Sequence, residues 1–481
     1  MGSSIVGFMV FNSISFFAFL AIVYALYRVL GHRGQNRMLL VASYVFYGAW
    51  DWRFLTLIAA STVVDYIIGR SLHATTDPVR RKHLLWVSLA SNLGLLGVFK
   101  YFNFFVGSFV ELVSQLGLPL DWQSLSIILP VGISFYTFQT LSYTIDIYRN
   151  ELEPTEDFLD FALFVAFFPQ LVAGPIERAK NLLPQIQEPR RLSPQQGLRG
   201  CYLILIGLFK KVVIADGLAS TVNAVFGESW AVTGPEVWLA SSLFALQIFG
   251  DFSGYTDIAR GTAKLFGFEL MKNFKTPFFA ASPSEYWTRW HVSLSSWVKD
   301  YVYFPMALSY MRRGATKLNE YKPHLYAMAL MGLWHGAAWN YVAWGVFNGC
   351  MLILWSAIRW PKRIKHYRKR IPNGVWVAVF LQVTIYTMML FRADTLDQAV
   401  RFTLALGSDL SWSGNLALPK LVTLPAVPLL IALEWMAFRS KSELFYQRWP
   451  RPMRALLYTI LLFLLCLGSS NAPADFIYFQ F

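Results

Sequence analysis

What most constrains this chain is its series of apolar stretches, many close to the ~20 residues that cross a bilayer, joined by connectors too short to fold alone. Within a bilayer no water satisfies a free peptide group, so such stretches read as helices and not as open strands. Composition agrees, with 56% of residues hydrophobic, 17% aromatic and only 15% charged, a balance rare in soluble globular proteins. The expected fold class is therefore all-α: a polytopic transmembrane helical bundle in which residues 1–481 form a single membrane domain.

The net charge of +14 does not point to nucleic acid, because Lys and Arg cluster between apolar stretches, where they mark the cytoplasmic side. On that rule the span 8–30 leaves the amino terminus outside and carries His32, Arg33 and Arg37 into an inner loop. Residues 38–50 and 54–69 read as two short helices joined at Asp51-Trp52, and 70–83 returns inside. Residues 84–118, interrupted by Lys100, are too long for one span. Further apolar segments are 124–147, 158–172, 202–214, 238–249, 375–390, 421–436 and 455–467. The segment 124–147 carries a polar face of Gln139, Tyr143 and Asp146 that reads as helix packing, and in 173–178 the adjacent Glu177 and Arg178 are placed to pair. Loop parity puts the carboxyl terminus outside.

No basic leader with a small-residue cleavage site precedes the first span, so that span is expected to be retained; Met9 has the look of a natural start, with residues 1–7 as an upstream extension. Cys201, Cys350 and Cys466 lie far apart in apolar sequence and give neither a metal-type spacing nor a disulfide framework.

Most of the potential chemistry falls in 282–349, which holds His291 within Tyr286-Trp287-Thr288-Arg289-Trp290-His291-Val292-Ser293 and His335 within Gly332-Leu333-Trp334-His335-Gly336. Ser282-Pro283-Ser284-Glu285 is a capping box with Pro at the first helical position. That places His291 about two turns into a helix, with Trp287 and Ser295 one turn to either side and Pro305 limiting its length. Gly332 and Gly336, four apart, admit close approach by another helix, and Trp339 follows on the face of His335. If the basic groups Arg312, Arg313, Lys317 and Lys322 and the run 359–370 are both cytoplasmic, the ~35 residues between them exceed one span and must go in and come back. His335 would then sit near a broken or re-entrant bend, which is tolerated at depth only where it is buried in protein or lines a cavity.

An ionisable side chain at membrane depth is a functional candidate by default, but neutral histidine is the least costly of them and also serves as core packing. Asp251 and Asp257, in Asp251-Phe252-Ser253-Gly254-Tyr255-Thr256-Asp257, either hold a ligand or pair with Arg260 and Lys264. The sequence holds no phosphate-binding glycine loop, no nucleophile elbow and no metal-ligand cluster. A histidine near its ordinary pKa of ~6.5 is suited to removing a proton from a hydroxyl as that hydroxyl attacks an acyl thioester. Acyl transfer is the chemistry this set supports most readily.

Taken together, the segment 286–297, Trp334-His335-Gly336, the segment 251–257, Asn273-Phe274-Lys275-Thr276-Pro277 and Ala173-Gly174-Pro175 resemble the membrane-bound O-acyltransferase family, in its bacterial alginate O-acetyltransferase-like branch. The resemblance covers nearly the whole chain. It implies roughly a dozen helices around a central tunnel, a cytoplasmic acyl-thioester donor such as acetyl-CoA, no bound cofactor or metal, and a location in the bacterial inner membrane. It implies catalysis by His335 with His291 in support, and substrate contacts from Trp334, Trp339, Asn340, Trp287, Trp290, Ser295, Asp251 and Tyr255. The acylated product would be an extracytoplasmic polysaccharide such as alginate or cellulose, reached with a polysaccharide synthesis and export complex. A D-alanyl group is the alternative cargo. One departure is 306–321, which lacks the glycine pair usual after Tyr301-Val302-Tyr303-Phe304-Pro305 in alginate-type relatives. Two other classes remain: a transporter or flippase, for which no internal repeat is visible, and a non-catalytic scaffold in which the histidines only pack helices.

The end of the chain, 469–481, reads as an extracytoplasmic aromatic tail. Four of its last six residues are aromatic, so it is expected to be bound, either as an interfacial anchor or elsewhere. Phe476-Ile477-Tyr478-Phe479-Gln480-Phe481 resembles the Phe-x-Tyr-Phe-x-Phe terminus of bacterial envelope acylation systems, which implies that Tyr478 accepts the acyl group and passes it to a separate SGNH or serine-hydrolase-like transferase outside.

Overall fold

The computed structural model describes residues 9–118, 122–172, 174–227, 232–314, 316–358, 371–412, 418–469 and 477. Residues 1–8, Ala173, the basic run 359–370 and Tyr478 lie outside these. The described elements are all helical, with no strand among the described residues. Four helical stretches among them are long and apolar enough to cross a membrane: His32–Ala74, Pro78–Gln115, Asn373–Arg392 and Arg451–Gly468. Large apolar side chains such as Trp86 (59% exposed), Phe105 (53%) and Phe463 (61%) remain on their outer faces, a surface suited to lipid and not to water.

Contacts divide the chain into two compact units, Met1–Ile204 with Ile258–Met271, and Leu205–Asp257 with Lys272–Phe481. The first contains α1 (Ile14–Val29), α2 (His32–Asp51), α3 (Leu55–Ala74), α4 (Pro78–Leu96), α5 (Phe102–Gln115), α6 (Ile133–Tyr148), α7 (Phe158–Ala166), α8 (Phe168–Leu171) and α9 (Ala179–Gln187). Asp51 closes the junction of α2 and α3 by accepting the Arg53 N–H at 3.0 Å. His32, Arg33 and Arg37 lie in the first turns of α2 and not in a loop, because only Leu30 and Gly31 separate α1 from α2. Between α4 and α5 the chain stays helical through a π turn at Gly97–Tyr101 that contains Lys100, so the long segment bulges where a separate interfacial helix was one alternative.

Residues 124–130 are not helical, and α6 starts only after Gly132, whose φ is 74°. A Cβ there would also come within 2.6 Å of the Leu171 carbonyl oxygen, so glycine is required twice over. Gln139, Tyr143 and Asp146 are buried, as the packing-face reading expects. Asp65 ties α3 to α4 by accepting the Ser88 hydroxyl at 2.7 Å and the Asn92 amide at 2.8 Å, and Asn92 in turn accepts the Thr140 hydroxyl of α6 at 3.0 Å. Glu177 takes the Met271 N–H and interacts electrostatically with Arg260 and with its neighbour Arg178.

The second unit contains α11 (Asp216–Gly227), α13 (Pro283–Trp287), α14 (Val292–Val298), α15 (Phe304–Arg312), α16 (Lys317–His335) and α17 (Trp339–Ala357), followed by Asn373–Arg392, Leu396–Ser408, Thr423–Ser440 and Arg451–Gly468. Helices α10 (Pro194–Leu208) and α12 (Gly234–Leu265) contribute residues to both units. The chain does not stop at Pro305. A π turn at Lys299–Tyr303 precedes it, and Pro305 falls in the first turn of α15, where its missing N–H has no helical partner to lose.

α16 and α17 form an antiparallel hairpin joined by three residues. A Cβ at Gly332 would lie 2.1 Å from the Tyr341 carbonyl oxygen, and one at Gly345 would lie 2.2 Å from that of Met328. The two contacts pair residues in opposite chain directions, and side chains at either position would force the helices apart. The chain thus turns back at the end of α16, as expected for a bend near His335.

Candidate active site

His291 is not two turns into a helix. α13 starts as the capping box predicts, with the Ser282 hydroxyl accepting the Glu285 N–H at 3.2 Å, but it ends after five residues. His291 then adopts φ 42° and ψ 55° as the N-cap of α14. A non-glycine residue held there costs about 1–3 kcal/mol and persists only when its surroundings over-determine it. They do so here through Asn273, whose carbonyl oxygen accepts the Val292 N–H at 2.8 Å and whose Oδ1 accepts the Ser293 N–H at 3.1 Å and hydroxyl at 3.0 Å. The Lys275 N–H adds a bond to the Arg289 carbonyl at 2.8 Å. Asn273 is fully buried, and its Nδ2 finds no acceptor among the described residues. Helical spacing therefore does not relate Trp287 to His291; Ser295 still bonds back, its N–H meeting the His291 carbonyl at 2.9 Å.

His335 is the last residue of α16, with Gly336 extended beyond it. Its imidazole, 3% exposed, meets Trp334, Trp344 and Phe391 at ring-centroid distances of 5.0, 5.2 and 5.1 Å. The His291 ring, 1% exposed, lies 4.6 Å from Phe252 and 5.8 Å from Trp334. The imidazole centroids are 6.4 Å apart, too far for a direct hydrogen bond but close enough for one hydroxyl placed between them to reach both. Two helix breaks thus deliver two imidazoles into one aromatic enclosure.

The other expected site residues divide. Trp334 touches both histidines, Trp290 is buried against Phe274 at 5.0 Å, and Trp287 is half-buried, 5.9 Å from Trp344. Asn340 is buried, and its amide donates to the Ala393 carbonyl at 2.7 Å. Trp339 is 52% exposed; the break after His335 resets the helical face, so it does not continue the His335 side of α16.

Asp251 and Tyr255 are buried on α12. Their neighbourhood supplies lysine partners from another segment: Asp251 and Asp216 share Lys211 at 2.7 and 2.8 Å, while Asp257 and Glu434 share Lys210 at 3.0 and 3.3 Å. Lys264 pairs with Glu269 instead. Sequence reasoning missed Lys210 and Lys211, although two adjacent lysines inside an apolar run were a usable signal. It also missed Asn273 as a clamp, along with Phe252, Trp344 and Phe391 as walls. Tyr478 lies outside the described residues, but its neighbour Ile477 is buried and donates its N–H to Asp251 Oδ2 at 2.7 Å.

The model of the membrane-bound O-acyltransferase family matches residues 149–391. A protein of Pseudomonas putida named "Probable alginate O-acetylase" is 37% identical over 500 residues, covering 98% of this chain and 100% of its own. A peptidoglycan O-acetyltransferase of Helicobacter pylori is 31% identical over 429 residues, covering 82% and 79%. A teichoic acid D-alanyltransferase of Streptococcus thermophilus is 29% identical over 277 residues, covering 54% and 66%.

Proposed function

Because this chain belongs to the membrane-bound O-acyltransferase family, and is a multi-pass membrane acyltransferase, we propose that it is an O-acetyltransferase of the bacterial inner membrane that serves an extracytoplasmic polysaccharide. The observation that carries this reading is the pair of buried imidazoles 6.4 Å apart. His335 takes the proton of an acceptor hydroxyl as its oxygen attacks the thioester carbonyl carbon. A C–O bond forms, the C–S bond breaks, and the proton leaves with the thiol. His291 orients the acceptor or the donor carbonyl. The aromatic walls exclude water that would hydrolyse the thioester.

Acetyl-CoA enters from the cytoplasmic side, and the first acceptor is the Tyr478 hydroxyl of the chain's own tail, which emerges outside. A phenol of pKa ~10 leaves more readily than an alkyl alcohol, so the tyrosyl ester is suited to hand its acyl group to a hydroxyl of the polymer through an SGNH or serine-hydrolase-like partner. The second transfer restores the phenol. The names of the Pseudomonas and Helicobacter relatives, which mention alginate and peptidoglycan, support acetyl as the cargo and a glycan as its destination; the proposed destination here is alginate or a similar exopolysaccharide, served together with its synthesis and export complex. The Streptococcus relative's name keeps D-alanyl as the second candidate.

The test is acyl transfer by the purified full-length protein from radiolabelled acetyl-CoA and, separately, from a D-alanyl thioester. Label on wild-type protein from acetyl-CoA, lost in Tyr478→Phe and in His335→Ala, is the expected result. Full labelling of Tyr478→Phe removes the tail as acceptor, and labelling from the D-alanyl donor alone replaces the cargo.

A further inference from the structure

We propose that the Lys211–Asp216–Asp251 cluster is a docking site for the main chain of the C-terminal tail, with Asp251 the positioning residue that grips it. Asp251 is 1% exposed, and its two oxygens do different work: Oδ1 faces the Lys211 ammonium at 2.7 Å, and Oδ2 accepts the Ile477 N–H at 2.7 Å. Lys211 also holds Asp216 at 2.8 Å. With Oδ1 occupied by the ammonium, a main-chain N–H donor directed at Oδ2 satisfies the other oxygen of a buried carboxylate through a charge-assisted hydrogen bond.

That donor comes from a residue 226 positions away in sequence. Ile477 is itself only 7% exposed. The contact uses the Ile477 peptide group, so it does not depend on the identity of that side chain. The rest of the cluster does not depend on Asp251: without it, Lys211 retains Asp216 as a one-to-one pair, so neither charge is stranded.

Docking stands on these contacts alone, and rests on the relay reading only for what the tail does once held. In that reading the grip at Ile477 acts one residue before the acceptor, Tyr478, in the chain. An acceptor whose approach is fixed beforehand reacts faster than one free in solution.

The test is hydrogen–deuterium exchange over 470–481 in the full-length detergent-solubilised protein. Removing the carboxylate with Asp251→Ala, or the donor with Ile477→Pro, is expected to speed exchange of the remaining tail amides about 10- to 100-fold. The double variant is expected to exchange no faster than either single one, since both break the same contact. Asp251→Asn, which keeps an oxygen acceptor, is expected to restore part of the protection. Tail exchange at the wild-type rate in Asp251→Ala overturns the proposal. Should that variant fail to fold, Ile477→Pro leaves the buried cluster intact and decides the matter, wild-type exchange again overturning docking. Tyr478→Phe separates the two readings: unchanged tail protection with retained acylation sinks the relay and leaves docking standing.

Discussion

Asn273 holds Ser293 through a single atom, its Oδ1 accepting both the Ser293 N–H at 3.1 Å and the Ser293 hydroxyl at 3.0 Å. Together with the Val292 N–H on the Asn273 carbonyl, this clamp lies immediately beyond His291 and accounts for its left-handed backbone. Asn273→Ala strands two donors at a buried position, so it is expected to cost about 1–3 kcal/mol and to let His291 relax toward ordinary helical geometry. Thermal unfolding in detergent and acyl transfer measured on the same sample check this. Asn273→Asp retains the acceptor and should recover more of both than alanine does. An alanine variant indistinguishable from wild type would mean that the loop is held elsewhere.

His335 and His291 should separate in their effects. Replacing His335 with Ala or Gln is expected to leave the protein folded and inserted while reducing polymer acylation by about 10²- to 10⁴-fold, the contribution of a positioned base. His291→Ala is expected to be severe but incomplete, because in the proposed mechanism that residue orients and does not take the proton. Wild-type rates in a well-folded His335 variant would reduce the imidazole to core packing.

What could be read from the chain and what could not follow one division. The Ser282 cap and the turn at Asp51 depend on neighbours two or three residues away, and the close approach at Gly332 on the next helix of the same hairpin; each appears where its sequence signal lies. The conformation of His291 depends on Asn273, 20 positions from Ser293, and no periodicity within 282–297 reports a partner that distant. For the same reason the sequence around Asp251 and Asp257 does not reveal Lys210 and Lys211, which reach them from a preceding π turn. The aromatic enclosure was legible as composition. Its membership was not, since Phe252 and Phe391 reach it from segments far from either histidine.

The α16–α17 hairpin should tolerate no side chain at its contact points. Gly332→Leu and Gly345→Leu each drive atoms into a facing carbonyl, at positions where even a Cβ would lie 2.1 and 2.2 Å away. Overpacking of that kind costs about 1–3 kcal/mol and often more, and here it also displaces His335 at the hairpin's end. Lower melting temperature with loss of acyl transfer is expected for both. Retained activity in either variant would show that the helices can separate without disturbing the imidazole.

The donor is expected to be drawn in by charge. Arg312 and Arg313 lie at the end of α15 and Lys317 opens α16; all three are exposed, and among the described residues none of them pairs with a carboxylate. Exposed positive charge on the face by which an anionic donor such as acetyl-CoA is proposed to enter would raise its local concentration by about tenfold or more, and the effect weakens as salt shortens the ~8–10 Å screening length. Raising ionic strength should therefore increase the KM for the donor with little change in kcat. The triple reversal Arg312→Glu, Arg313→Glu and Lys317→Glu should raise KM at low salt and reverse the salt dependence, because added salt now screens a repulsion. A KM indifferent both to salt and to the reversal would remove steering from the account while leaving the roles of His335 and His291 untouched, since neither depends on how the donor arrives.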